Sequence, residues 1–228
     1  DAKNAGTNPP NGSVINYYVK DVSDSAKVSI DILDKNKKRI KTFSTKAKEK
    51  EDKIDVSSGM NQFVWDMKYP PAEKVDGQII WHGNVPGPKA APGQYFYKIK
   101  AEKDSVEGSF TIKANPVYNV SQQDYEEQFN FLIAIRDKFD EIQKAGKNIR
   151  DIRKQINDFM DKQGKDVPKE IKQKADTIKK QMTAVEEALH QTKAKSGQDV
   201  LNYPIRLDDK ISGLYDFAAS GNAAPARQ

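Results

Sequence analysis

Hydrophobic and polar residues alternate along the first half of the chain. In the segments 28–32, 63–67 and 95–99 the residues at every second position are apolar, a period typical of half-buried β-strands. Further short strands are predicted at 14–19, 39–43, 78–82 and 107–113. No helical run separates these seven strands, so we predict that residues 1–115 form an antiparallel β-sandwich of the immunoglobulin-like type.

The period changes to that of a helix after Pro116. Ser121, with Asp124 three residues later, is typical of a helix N-terminus, and apolar residues then recur every three or four positions. The pattern predicts helices over about 121–162, 167–192 and 204–219. We therefore predict a β + α chain of two domains, in which residues 116–228 form a three-helix bundle.

The second predicted helix carries a seam of apolar residues with alternating steps of four and three positions. The seam consists of Ile171, Ala175, Ile178, Met182, Val185 and Leu189. Such a seam packs against one partner face, so we expect the first two helices to pair as an antiparallel hairpin that covers most of it. A fourth helix beyond Gln228, or a partner, is expected to cover the remainder.

The charge of the chain is spread evenly rather than gathered in one domain. The formal net charge of +5 comes from 38 basic and 33 acidic residues; residues 1–115 hold 19 basic and 15 acidic ones, and residues 116–228 hold 19 and 18. Nucleic-acid binding requires clustered cations, whereas here the cations alternate with carboxylates. We therefore expect no nucleic-acid partner.

Cysteine is absent and histidine occurs only twice, which limits the available chemistry. A chain without Cys has no disulfide, thiolate metal site or cysteine nucleophile. Glu187 and His190 have the spacing of half a di-iron site, but such a site needs a second copy of this motif and two further Glu. We expect a solvent-exposed Glu187–His190 pair, no metal and no cofactor.

Carboxylates are abundant, but their setting argues against catalysis. The most conspicuous lie among Lys and Arg on predicted helices: Asp137, Asp140, Glu141, Asp151 and Asp158. A glycosidase needs two carboxylates fixed about 5–9.5 Å apart in a cleft, whereas these are expected on exposed faces. Gly-rich phosphate loops and the Gly-x-Ser-x-Gly elbow are missing, and no run approaches the roughly 18 apolar residues of a membrane span. We therefore expect no enzyme and no membrane span in this chain.

The segment 69–92 is a long, proline-rich connection that contains aromatic residues. Long loops of this kind often bind ligands, and their prolines lower the entropy lost on binding. If the chain binds a small ligand, we expect Trp81, His82 and Tyr69 to hold it. The alternative is that residues 79–81 form one more strand or fold over the helices.

Two runs resemble the immunoglobulin-like domain of the flagellar hook-capping family. The first is Gly-Met-Asn-Gln-Phe-Val-Trp-Asp at 59–66, and the second is Ala-Pro-Gly-Gln-Tyr-Phe-Tyr at 91–97. Their physical content is a turn, an aromatic strand and a second turn that enters the next strand. We interpret Trp65 as a core residue and Asp66 as a cap for the turn that follows.

Further runs cover nearly the whole chain. They are Asn-Pro-Pro-Asn-Gly at 8–12 before Tyr-Tyr at 17–18, Trp-Asp-Met-Lys-Tyr-Pro at 65–70, Gly-Pro at 87–88, and Tyr-Pro-Ile-Arg-Leu-Asp-Asp-Lys at 203–210. Together they resemble the C-terminal region of secreted, glycosyl-hydrolase-like bacterial proteins with an N-terminal sortilin-like (BNR, Asp-box) β-propeller. The resemblance implies a periplasmic, cell-surface or secreted location in Bacteroidetes-like bacteria. It implies no active site here, because the chemistry of the parent would lie on the propeller.

These observations lead to one hypothesis and one alternative. The leading hypothesis is a non-catalytic accessory region of a larger envelope or secreted protein, whose partners are the propeller domain of the same parent chain or another protein. The alternative is a carbohydrate-binding module that uses the loop 69–92 to bind a glycan. Because the chain begins with Asp rather than Met, we expect a piece of a longer protein.

Overall fold

The computed structural model describes residue 6 and residues 8–23, 26–73 and 75–221. Their strands are β1 (Ser13–Val19), β2 (Val28–Leu33), β3 (Arg39–Ser44), β4 (Gly59–Trp65), β5 (Gly93–Ala101) and β6 (Asp104–Ile112). Their α-helices are α1 (Gln122–Gln163), α2 (Lys169–Leu189) and α3 (Leu207–Ala219), with short 3-10 turns at Lys50–Asp52, Gly164–Asp166 and Gly197–Leu201. The chain therefore belongs to a mixed β + α class.

The chain divides into two compact units, which are described separately. The first unit contains Asp1–Pro70 and Pro88–Phe129, and the second contains Pro71–Gly87 and Asn130–Gln228. Helix α1 begins in the first unit and continues in the second. Segment 71–87 thus leaves the strands on either side of it and joins the helices, which determines where its side chains lie.

Two antiparallel sheets build the first unit. One sheet pairs β1 with β4, and the other has the strand order β3-β2-β5-β6. Alternate residues of β2 (Val28, Ile30 and Ile32) are fully buried in the apolar core. The period-two pattern therefore correctly predicts these six strands, although their ends differ by a few residues.

Trp65 lies at the centre of this core, as its pattern predicts. Its side chain is fully buried, and its ring packs against those of Tyr95 and Phe110 at centroid distances of 5.7 and 6.0 Å. The indole N–H donates to the carbonyl of Lys68 at 3.2 Å, while Asp66 accepts the Lys68 N–H at 3.1 Å. Trp65 is a core residue and Asp66 a turn cap, so both interpretations are confirmed.

Helix α1 begins where the sequence predicts. Ser121 Oγ accepts the Asp124 N–H at 3.1 Å, and Asp124 Oδ2 accepts the Ser121 N–H at 3.2 Å. This reciprocal pair satisfies N–H groups that have no partner within the helix. No helix in the described part of the chain combines the length and apolarity needed to cross a membrane.

The apolar core of the second unit combines helices with segment 71–87. Leu132, Ile135 and Phe139 of α1 are buried with Tyr215 of α3 and with Ala72 and Val85 of the segment, and Ile80 packs against them. The predicted strand at 78–82 is wrong: this stretch forms turns and irregular backbone. Its apolar residues are used to pack against helices rather than to extend a sheet.

Candidate functional site

Two consecutive aspartates open helix α3 and are almost completely buried. Asp208 is 1% exposed and Asp209 is 3% exposed. Both lie in the first turn of the helix, where unpaired backbone N–H groups and the helix dipole favour negative charge. Each of them contacts one of the two histidines of the chain.

Asp208 joins the end of α2 to the start of α3. Its Oδ2 lies 2.6 Å from Nδ1 of the buried His190, and its Oδ1 accepts the Asp209 N–H at 2.8 Å. A carboxylate can only accept, so Nδ1 of His190 carries the proton of this bond. The expected solvent-exposed Glu187–His190 pair is wrong, because the imidazole is buried against Asp208 instead.

Asp209 holds the segment 71–87 through three bonds. Its Oδ2 accepts the Trp81 N–H at 2.8 Å, and its Oδ1 accepts the His82 N–H at 3.1 Å and lies 2.8 Å from His82 Nδ1. Successive N–H groups of a strand point to opposite sides, whereas these two bond to one carboxylate. The backbone at Trp81 and His82 therefore forms a turn rather than an extended strand.

The next turn of α3 continues the contact with the segment. Ser212 Oγ donates to the carbonyl of Gly83 at 2.8 Å. A Cβ added at Gly213 would lie 3.0 Å from Cε1 of His82, so glycine leaves room for the imidazole. Together with Asp209, these residues fix the turn at Trp81 and His82 on α3.

The three residues predicted to bind a ligand lie in different places. Trp81 is 50% exposed although its backbone is held by Asp209, whereas the His82 ring is bound to that carboxylate. Tyr69 belongs to the first unit, where its ring packs against Phe129 at a centroid distance of 4.8 Å. Trp81 and His82 are therefore adjacent, and Tyr69 is part of the packing of the first unit.

A buried glutamate ties α2 to α1. Glu186 accepts from Arg150 Nε at 2.9 Å and lies 2.8 Å from Arg153 Nη1. Burial tends to raise the pKa of Glu186, but the hydrogen bonds and charges of the two arginines outweigh it and hold the pKa below its usual value. Arg153 also donates to the Thr183 hydroxyl at 3.2 Å. These contacts join α1 and α2 at Arg150, Arg153, Thr183 and Glu186.

Large apolar side chains remain exposed along both of these helices. Their exposed fractions lie between 41% and 51%, and they are spaced by seven residues on each helix: Ile152 and Phe159 on α1, and Ile171, Ile178 and Val185 on α2. The expectation that packing between the helices covers this seam is wrong for these positions. We call these five residues the apolar face.

The two parts of the apolar face lie on the same side of the helix pair. Arg153 and Glu186 form an ion pair that marks where the two helices face each other. Ile152 directly precedes Arg153, and Val185 directly precedes Glu186, so each is rotated by about 100° around its own helix from the paired residue. When two helices run antiparallel, side chains rotated by the same angle from the facing residues lie on the same side of the helix pair. The seven-residue spacing extends both lines along that side.

Gln143 of α1 is a buried polar residue with unsatisfied hydrogen-bonding groups. It is 1% exposed, and neither its Oε1 nor its Nε2 has a partner among the described residues. Each such group carries a desolvation cost that no bond offsets. Gln143 therefore does not stabilise the second unit through hydrogen bonds of its side chain.

A polar cleft of about 760 Å³ lies in the first unit, over the face of β2 that points away from the core. Asp31 is buried there and accepts from Thr42 Oγ1 at 2.5 Å and from Lys100 Nζ at 3.1 Å. Burial favours a higher pKa for Asp31, but these hydrogen bonds and the Lys100 charge outweigh it and lower the pKa. The carboxylate is thus used in contacts within the sheet.

Each of the paired aspartates binds the ring of one histidine. Neither imidazole has a hydrogen-bond partner besides its aspartate among the described residues, and Ser212 donates to a backbone carbonyl. Within the same part of the chain, no group of three His, Asp or Glu side chains is placed to hold a metal ion. The two Asp–His pairs orient α2, α3 and segment 71–87 relative to one another.

Sequence reasoning missed both Asp–His pairs. The available signal was the doubled acid at 208–209, placed at the start of an amphipathic helix in a chain with only two histidines. Comparisons of the chain with protein-family models, with curated proteins and with solved structures found no match.

Proposed function

We propose that this chain is a non-catalytic interaction region of a larger bacterial envelope or secreted protein. It would bind a propeller domain of the same parent chain, or another protein, through its helical part. The observation that carries this proposal is the apolar face, where five large apolar side chains are exposed on one side of two antiparallel helices. Scattered exposed apolar residues are ordinary, but large apolar side chains that share one side of a helix pair are typical of an interaction surface.

The proposed architecture is an immunoglobulin-like sandwich followed by a helical hairpin. The antiparallel sheets β1-β4 and β3-β2-β5-β6, with apolar residues of both in one core, support the sandwich. The Arg150 and Arg153 contacts with Glu186 support the hairpin. Domains of this kind commonly present surfaces to other proteins, which agrees with the proposed role.

The use of the polar groups supports a non-catalytic role. A general acid or base must reach a substrate proton, and a nucleophile must lie near its base. Among the described residues, neither His82 nor His190 has a hydroxyl bonded to its ring, and Ser212 donates to the carbonyl of Gly83 instead. Glu186 is likewise occupied by two arginines.

Site-specific photo-crosslinking tests the proposal. A benzoylphenylalanine placed at Ile178 in the full-length parent should crosslink to one defined polypeptide segment. The matched control is the same probe at Val106, an exposed apolar residue of β6 that lies outside the apolar face. No crosslink at 178, or the same products from both positions, would contradict the proposal, as would glycoside hydrolysis by this chain that one carboxylate substitution abolishes.

A second candidate function is carbohydrate binding at Trp81. A half-exposed indole on a turn that Asp209 and Ser212 fix is a preformed surface on which a sugar ring could stack. Little conformational entropy would be lost on binding, because the backbone is already held. His82 would contribute through its ring edge, while Tyr69 would take no part.

A glycan array followed by calorimetric titration tests this candidate. Binding should be lost in Trp81→Ala and retained in Tyr118→Ala, which removes a similarly exposed aromatic ring from the first unit. Equal binding by both variants, or no binding of any glycan, would exclude Trp81 as a sugar platform.

A further inference from the structure

The polar cleft in the first unit has a floor of buried polar side chains. On the face of β2 that points away from the core, Ser29 and Asp31 are only 8% and 6% exposed. Ser44 and Thr42 of β3 lie opposite them in the sheet, and Ser44 is 7% exposed. The outer face of an antiparallel sheet is commonly solvated, so other groups of the chain cover this floor.

The segment that follows β3 forms one wall of the cleft and is attached to the sheet at both ends. At its start, Ser44 Oγ accepts the Lys46 N–H and the Ser44 carbonyl accepts the Ala47 N–H, each at 3.2 Å. At its end, Asp52 Oδ1 lies 2.6 Å from Lys41 Nζ. The wall is therefore part of the fold, and the volume of the cleft lies within the range of about 300–1,000 Å³ that is typical of small-molecule sites.

Cations outnumber acids in the cleft. The charged residues that line it are Lys27, Arg39, Lys46, Lys48, Lys100, Asp31, Glu49, Asp52 and Glu102. Asp31 is paired with Lys100 at 3.1 Å, and Asp52 is paired with Lys41, which does not line the cleft. The four other cations thus face two exposed acids, Glu49 and Glu102. The cleft therefore favours a ligand with negative charge.

Two groups of the cleft are available to a ligand. The Arg39 guanidinium makes no hydrogen bond or ion pair with another described residue, and the Ser29 hydroxyl makes no hydrogen bond with one. Arg39 presents a planar fork of donors that matches a carboxylate, and a hydroxyl both donates and accepts. Arg39 pairs with Leu33, four residues from Ser29 along β2, so the two positions are about 13 Å apart at about 3.3 Å per residue. A ligand that binds both groups must therefore be extended.

The lining also favours a charged ligand over a neutral one. Among the described residues that line the cleft, none is aromatic and Ala47 is the only apolar one. A neutral sugar would then depend on hydrogen bonds between uncharged groups, which contribute little net, whereas hydrogen bonds to ionised groups are stronger. Hydroxyls on the floor and cations on the walls together fit a ligand that carries both hydroxyl groups and carboxylates.

We propose that this cleft binds an acidic oligosaccharide, in which a uronic-acid carboxylate contacts Arg39 and ring hydroxyls contact Ser29 and Thr42. Thr42 donates its proton to Asp31 and keeps lone pairs that can accept from the sugar. The site lies in the first unit, whereas the apolar face and Trp81 belong to the second. The proposal is therefore independent of the interaction role and gives the first unit a binding role of its own.

Calorimetric titration of the whole chain with trimers of galacturonic, glucuronic and mannuronic acid tests the proposal. Each trimer is compared with its neutral counterpart, which lacks the carboxylates. At low salt, at least one acidic trimer should bind at least tenfold more tightly than its counterpart, and its affinity should fall as the salt concentration rises. Binding by none of the three acidic trimers, or equal binding of the neutral ones, would overturn the proposal.

Citrate separates recognition of a sugar from recognition of charge alone. It carries carboxylates but no sugar ring, and it is too short to reach both Arg39 and Ser29. Citrate should therefore bind at least tenfold more weakly than the best acidic trimer. Equal affinities would show that the cleft attracts any polyanion, which would overturn the proposal.

Matched variants locate the binding in the cleft. Arg39→Gln should weaken binding of the best trimer at least tenfold, and Ser29→Ala at least threefold, with circular dichroism confirming the fold of each variant. The control Lys113→Gln removes an exposed cation of the same unit that does not line the cleft, so it should leave the affinity unchanged. Equal losses in Arg39→Gln and Lys113→Gln would indicate attraction to the net charge only and would overturn the proposal.

Two further variants complete the test. Lys48→Gln removes a cation from the exposed wall without changing a strand, so it should also weaken binding. Trp81→Ala should leave binding of the acidic trimer unchanged, because Trp81 lies in the other unit. Loss of binding in Trp81→Ala, with Arg39→Gln and Lys48→Gln unaffected, would assign the saccharide to Trp81 and overturn the proposed site in the cleft.

Discussion

Asp209 shows how much of the second unit depends on single carboxylates. Its two oxygens receive the Trp81 N–H, the His82 N–H and the His82 ring. A neutral side chain of the same size could satisfy only some of these donors, because an amide has one acceptor atom. Asp209 thus holds the turn at Trp81 and His82, while Ala72, Ile80 and Val85 anchor the same segment in the apolar core.

Asp209→Asn is expected to loosen segment 71–87. The NH₂ group of the new amide would lie against one of the N–H groups that Asp209 now accepts. Because two donors cannot bond to each other, we expect a loss of about 1–3 kcal/mol in the free energy of unfolding. Hydrogen exchange at Trp81 and His82 should accelerate in the same variant. The control is Asp216→Asn, which changes an exposed residue of the same helix; equal unfolding midpoints for the two variants would contradict this account.

Gln143 gives the opposite prediction. Replacing its buried, unpartnered amide by the similarly sized Met removes two unsatisfied polar groups, so Gln143→Met should leave stability unchanged or raise it by about 1–2 kcal/mol. Urea denaturation measures the change. A loss of more than about 1 kcal/mol would show that the amide has a partner that stabilises the fold.

Glu186 makes stability depend on pH in one direction. Because its pKa is lower in the folded chain than in the unfolded chain, its contribution is present above the unfolded value of about 4.3 and is lost as the pH falls through the folded value. Glu186→Gln should therefore destabilise the chain by about 2 kcal/mol at pH 7. The difference in stability between this variant and the unsubstituted chain should shrink below pH 4. Glu187→Gln is the control, and a difference independent of pH would contradict the assignment.

At the scale of elements, the periodicity of apolar residues correctly predicts the strands and helices that local sequence determines. The six strands and three helices follow from residues that share one face of one element, such as Val28, Ile30 and Ile32 of β2. The predicted strand at 78–82 instead ends in a turn, because the N–H groups of Trp81 and His82 bond to Asp209, which is 127 residues from His82 along the chain. On α3, Leu214 is exposed, whereas Ser212 and Tyr215 lie on the buried side of the helix.

The candidate site is less predictable than the elements. The exposed aromatic Trp81 could be singled out from composition and loop length, but the Asp–His pairs join residues 18 and 127 positions apart. The apolar seam of α2 can be recognised in the sequence, but periodicity does not tell which of its residues are covered. Which part of it is covered depends on where Arg150 and Arg153 contact Glu186.

The α1/α2 pair should tolerate polar substitutions on its apolar face. Ile178→Ser removes a side chain that is already half exposed, so we expect a loss below about 1 kcal/mol. Ile135→Ala empties part of the buried core of the same unit and should cost about 2–4 kcal/mol. Similar losses for the two variants in urea denaturation would indicate that Ile178 is packed in the isolated chain.

At the scale of the whole molecule, the distribution of charge and of buried polar groups supports an interaction role. Basic and acidic residues alternate in both halves, and the buried acids Asp31, Glu186, Asp208 and Asp209 all have partners within their own unit. The large apolar side chains of the apolar face also stay exposed, on one pair of helices. We therefore propose that the chain acts through its apolar face.

Hydrogen exchange measured by mass spectrometry tests this claim most directly. Peptides that cover α2 would be compared between the isolated chain and the parent protein purified with its partners. The account predicts at least tenfold slower exchange across residues 171–189 in the parent, with no change across β6, because a bound partner would cover the apolar face. Identical exchange across α2 in the two samples would contradict it.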